Sequence, residues 1–150
     1  IHSDPQKTIL LQKIAELYPL SEASSHPISL VLKNKTPIIM SNISEETIII
    51  NSANSEHADL IRQLNSKSIA ILPLIVRGRV LGVITLGSQV ADHFKGETLK
   101  LGIEIANRVA YARSLLFSTS VMEDDNTKAK DEIERLGIEI IALLDKSFSQ

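Results

Sequence analysis

Two apolar runs, Ser68 to Val76 and Val80 to Leu86, meet at Arg77-Gly78-Arg79. Glycine reaches the positive φ that a tight reversal needs, so the two runs read as an antiparallel hairpin. Neither run alternates between apolar and polar residues. A strand of that kind has no face suited to water, so the hairpin must be covered by helices on both sides. The expected fold is therefore a layered α/β domain with a central antiparallel sheet and helices on both faces.

The rest of the chain supplies those helices. Asp4 before Pro5 is a helix start, with Ile9, Leu10, Ile14 and Leu17 at helical spacing and Pro19 as the stop. His26-Pro27 opens a shorter helical turn, Ile28 to Leu32. Pro37 then leads into Ile38-Ile39-Met40, which reads as an edge strand. Ser44 caps a helix whose first residues are Glu45-Glu46, and Ser55 begins a further helix carrying Ala58, Ile61 and Leu64. A long helix is expected from Glu97 to about Phe117, interrupted by Ser118-Thr119-Ser120. After Glu123-Asp124-Asp125, a last amphipathic helix from Asp131 to Phe148 is expected from the stripe Ile133, Leu136, Ile140, Leu143 and Leu144. This divides the chain into a domain over 1–117 and a linker or dimerisation helix over 118–150. The sequence Leu-Gly-Ile-Glu-Ile occurs at 101–105 and again at 136–140, but the flanks differ and it does not mark a repeat.

Composition excludes several functions. With 16 basic and 18 acidic residues and a net charge of −2, the chain has no basic field for nucleic acid. It contains no cysteine, which removes disulfides, thiolate metal sites, a cysteine nucleophile and any sulfur-linked chromophore. The apolar run Ile69 to Val76 is far short of the roughly 20 residues that span a bilayer. The start, Ile1-His2, lacks an initiator methionine and the features of a signal peptide, so a fragment of a cytoplasmic protein is expected.

The segment from Ser68 to Leu86, with Pro73-Leu74 closing one strand and Leu81-Gly82-Val83 in the next, resembles the central hairpin of GAF domains. Phe94, Glu97-Thr98-Leu99 and Ile105 to Ala112 resemble that family's closing helix, and His2-Ser3-Asp4-Pro5 with Tyr18-Pro19-Leu20 resembles the form found in bacterial sensor kinases and phosphatases. The likeness covers about residues 2–117. It implies a sensory module of a larger signal-transduction protein that lacks the family's leading helix and two strands, so that the sheet is expected to be incomplete. It also implies a ligand pocket, roofed by Ser41 to Leu64 and floored by the sheet. Bilin-binding and sulfoxide-reducing members of the family need cysteines that are absent here. The full Asn-Lys, Phe, Asp-Glu pattern of cyclic-nucleotide-binding members is not assembled, although Asn34-Lys35 and Phe94 are present.

Catalytic chemistry finds little support in the residues. No two of His2, His26, His57 and His93 have the three- or four-residue spacing that places two metal ligands on one helix face. The acidic pairs lie where helices begin and offset the amide dipole. Gly78, Gly82 and Gly87 do not form a phosphate-binding loop, Arg77 and Arg79 flank a hairpin tip, and no serine lies in a Gly-x-Ser-x-Gly elbow. The expectation is a non-enzymatic domain, without cofactor or metal, that binds a small molecule through Ser41, Asn42, His57, Ile61, Leu64, Ser68 and Ala70. It would form a homodimer and pass the signal along its long helices to an output domain. The alternative is a ligand-free structural dimerisation module.

Overall fold

The computed structural model describes residues 4–19, 25–118 and 139–143. In chain order the elements are α1 (Pro5–Leu17), α2 (Pro27–Asn34), β1 (Ile38–Met40), α3 (Glu45–Ile50), α4 (Ser55–Leu64), β2 (Ser68–Val76), β3 (Arg79–Ser88), α5 (Gly96–Ser118) and β4 (Glu139–Leu143). Their caps follow the sequence. The Asp4 carboxylate accepts from Gln6 N, the Ser44 hydroxyl from Thr47 N, and the Asn54 amide oxygen from His57 N.

The hairpin organises the sheet. β2 and β3 pair antiparallel from Ser68 opposite Ser88 to Val76 opposite Arg79. Both turn residues have positive φ, 51° at Arg77 and 77° at Gly78, the geometry whose twist matches the flanking strands. β1 pairs with β2 on one side, giving the order β1-β2-β3-β4.

Both faces of this sheet are covered. Even-numbered positions of the hairpin, Ala70, Leu72, Leu74, Ile84 and Leu86, form a cluster with Phe94, Ile105, Ala106 and Ala110 around α5. Helix α5 comes close because Gly102, Ala106 and Ala110 follow at four-residue spacing; a Cβ at Gly102 would lie 3.1 Å from the Leu86 Cδ1. Odd-numbered positions point the other way. Ile71 and Val83 pack with Ile28 and Val31 of α2.

One expectation is corrected at the C-terminal end. The centre of the amphipathic helix expected from Asp131 to Phe148 is strand β4, antiparallel to β3 from Val83 opposite Leu143 to Gly87 opposite Glu139. Ile140 and Ile141 are adjacent β-branched residues that favour a strand, and β4 supplies hydrogen-bonding partners that β3 would otherwise lack along that edge. The sheet expected to be incomplete is thus extended beyond β3 by this segment. Ser120, Glu123-Asp124-Asp125, Ile133 and Leu136, on which the linker reading also rested, lie outside the described residues.

The turn gives a stability test. Replacing Arg77 by Asn, which tolerates the left-handed region, is expected to stabilise the chain by roughly 0.5 kcal/mol in urea unfolding, whereas Gly78→Val costs about 1–2 kcal/mol. The opposite order of the two midpoints would show that the turn does not hold this geometry in solution.

Candidate functional site

On the face of the sheet away from α5, the helices do not close completely over the strands. A cavity of about 630 Å³ remains, within the range that holds a small ligand. Met40, Ile69, Ile71, Val83 and Thr85 form its sheet side, and α1, α2, α3 and α4 its walls. The expected roof from Ser41 to Leu64 is thus present in α3 and α4, but α1 and α2 contribute as well.

Hydrogen bonds between helices fix the walls. The Tyr18 ring, at the end of α1, stacks on the His57 imidazole of α4 with centroids 4.1 Å apart and planes 7° from parallel. Its hydroxyl reaches the same Asn54 oxygen that caps α4, at 3.2 Å. At the other end of α4 the Lys7 ammonium donates to the Leu64 carbonyl at 3.0 Å, a charge-assisted bond to an otherwise open helix end. The Arg62 guanidinium joins α4 to α3 by hydrogen bonding to Glu45, and also engages Asp59; the bond from Arg62 holds the Glu45 carboxyl below the usual carboxylate range.

Two histidines line the cavity, each with a defined tautomer. His57 Nδ1 accepts from Ala53 N at 3.0 Å, and His26 Nδ1 accepts from Ile28 N at 3.3 Å as the cap of α2. An Nδ1 that accepts cannot carry the proton, so each neutral ring carries it on Nε2. Burial pushes both imidazoles below the ordinary histidine value, and the proximity of His57 lowers His26 further. Thr85 stands in the sheet side of the cavity, and its buried hydroxyl has no hydrogen-bond partner among the described residues.

Of the residues expected at the site, His57, Ile61 and Leu64 line the cavity. The other four do not. Ser41 and Asn42 are exposed, and the Ser41 carbonyl accepts from Asp92 N at 2.7 Å. The Ser68 hydroxyl donates to the Val90 carbonyl at 2.7 Å, securing the loop after β3, and Ala70 packs under α5. The strand positions that line the cavity are the neighbours Ile69 and Ile71. Nothing in a run apolar at every position shows which parity faces the cavity. Sequence reasoning also missed Tyr18, His26 and Thr85. His26-Pro27 carried a signal, since a histidine before an N1 proline stands where a cap is needed; Thr85, the single threonine of an apolar strand, carried another.

The model of the GAF domain family matches residues 9–112. The chain belongs to the GAF domain family. No curated protein and no solved structure matches it significantly. The matched part runs from within α1 through most of α5, so it contains most of α1, all of α2, α3 and α4, and the hairpin beneath them. Among the described residues, no group of three or more His, Asp or Glu side chains is placed to hold a metal ion, and no helix is long and apolar enough to cross a membrane.

The histidines make stability depend on pH. The unfolded chain protonates them near their ordinary value, about pH 6.5, while the folded chain holds both below it. Stability is therefore full above about pH 6.5 and falls with pH down to the lowered folded-state values, because over that window the unfolded chain binds more protons. Thermal melts between about pH 7.5 and pH 5 should show this fall. The double variant His26→Asn with His57→Gln, which keeps a capping oxygen at position 26, should flatten it. An unchanged slope would assign the fall to other groups.

Proposed function

We propose that this GAF domain is a non-catalytic regulatory module of a bacterial signal-transduction protein, binding a small molecule in the cavity and passing the event to an attached output domain through α5. The cavity itself carries the reading: it is walled by four helices, mostly apolar, and provided with a few oriented polar groups. Turnover has no such support. The two cavity histidines are tied to backbone amides through Nδ1, and Arg62 is paired.

Transmission follows from the two-sidedness of a strand. Ile71 and Thr85 face the ligand while their neighbours Leu72 and Leu86 lie under α5 at Gly102. A ligand preferring one position of the α3 and α4 wall would shift the population of that arrangement, and the sheet would carry the shift to α5. The proposed homodimer would use the outer side of α5, where Ile103 and Tyr111 are exposed.

Native mass spectrometry of the purified chain, in wild type and in Ile61→Trp, tests the binding reading. Ile61 is a half-buried wall residue, so an indole there fills the cavity without opening the core. A small bound mass lost on denaturation, or uptake of the neutral dye phenylnaphthylamine that Ile61→Trp weakens about tenfold or more, is the expected outcome. An empty wild-type chain that takes up no dye would leave the structural dimerisation reading, with subunit number given by the same spectrum.

A further inference from the structure

The polar groups of the cavity indicate what chemistry it accepts. Three charged side chains reach its wall: Glu45, Arg62 and Lys67. Glu45 and Arg62 are paired with each other, with Asp59 as a second partner of the guanidinium, and Lys67, the residue before β2, is exposed. His26 and His57 are held neutral by accepting at Nδ1, so they add no positive charge near neutral pH. A carboxylate or phosphate buried here would meet no unpaired cation at the floor, and burying it uncompensated is costly.

The unmet hydrogen-bonding capacity lies elsewhere. Thr85 is 4% exposed, lines the cavity from the centre of the sheet opposite Ile71, and its buried hydroxyl has no hydrogen-bond partner among the described residues. A buried hydroxyl without a partner is disfavoured relative to one that is bonded, so a ligand oxygen reaching it removes an existing deficit. The second available group, the Nε2–H of His57, is also a donor. The Thr85 hydroxyl can donate or accept, whereas Nε2–H only donates, so a ligand acceptor is the one group that suits both, and the isoleucine and valine floor around Thr85 calls for hydrocarbon beside it.

We propose that the cavity takes an uncharged, mainly hydrocarbon molecule bearing a carbonyl-type oxygen, seated so that this oxygen accepts from the Thr85 hydroxyl. The assignment rests on the ligand-binding reading above and narrows it to a class: neutral ketones, aldehydes, esters or lactones of about one or two rings in size. The hydroxyl oxygen has almost no accessible surface, so this contact requires rotation about the Thr85 Cα–Cβ bond to another staggered position.

The test uses the full chain and three ring probes of one shape: naphthalene, its methyl ketone acetonaphthone, and naphthoate, with affinities from calorimetry or dye displacement. The expected result is that the ketone binds more tightly than the carboxylate, and that the ratio of ketone to naphthalene affinity falls about fivefold or more in Thr85→Val while naphthalene itself is unaffected. Thr85→Ser, which restores the hydroxyl, should recover the ratio. Naphthoate binding more tightly than the ketone would overturn the proposal, as would a ratio that Thr85→Val leaves in place. In either case naphthalene still binds and the ligand-binding reading survives. Failure of all three probes to bind would overturn both together.

Discussion

The structure depends on a hairpin that is apolar on both faces. Burying a Leu, Ile or Val side chain contributes about 1.5–3 kcal/mol relative to leaving it exposed, and β2 and β3 carry such residues at nearly every position. No arrangement that leaves one face in water can be stable. Everything else in the chain is placed by this requirement: α5 on one side, α1 to α4 on the other, β1 and β4 along the two edges.

The two sides meet the requirement differently. Helix α5 is 23 residues long and brings Gly102, Ala106 and Ala110 against the sheet, so its backbone approaches closely enough for a Cβ at Gly102 to crowd Leu86. The opposite face is covered by four shorter helices that are joined by loops and linked mainly by polar contacts at their ends: Tyr18 to Asn54, Lys7 to Leu64, Arg62 to Glu45. Short helices meeting at angles cannot fill the volume over a flat sheet as one long helix does. The cavity is the space they leave, and several of its polar groups, His26, His57 and Arg62 among them, hold the helices in position. A single residue, His57, therefore both secures the start of α4 and lines the cavity.

This division explains what could be read from the sequence. The hairpin, its turn at Arg77-Gly78, the caps at Asp4 and Ser44 and the layered arrangement follow from local chemistry, and all are found. Ile61 and Leu64 were legible because they lie on one side of a short amphipathic helix, and His57 because Ser55 to Asp59 resembles the helix beside the pocket in GAF domains. Ser68 and Ala70 were assigned to the cavity although the strand places Ile69 and Ile71 there, because an unbroken apolar run conceals its own parity. Tyr18 reaches the cavity only through the packing of α1, a long-range fact with no local signature, and the local signal at His26-Pro27 marks a cap and not a cavity. The segment at 139–143 is ambiguous in a different way: its isoleucines fit a heptad stripe and a strand equally, and only the neighbouring edge of β3 decides between them.

The same parity that hid the site also suggests how it could act. In a sheet with helices on both faces, adjacent residues of one strand belong to opposite layers, so no displacement of Thr85 can leave Leu86 wholly unaffected. On the cavity side there is room for movement, because a volume of about 630 Å³ lies open there. On the α5 side there is none, because Gly102 already lies against Leu86. A strand between a yielding layer and a close-packed one transmits a shift in one direction more readily than it absorbs it, since close-packed interiors have few voids into which a displaced side chain can relax. On this argument α5, the longest helix, is where a change in the cavity would become visible outside the domain, and the helix with the least slack against the sheet is the one best suited to carry it.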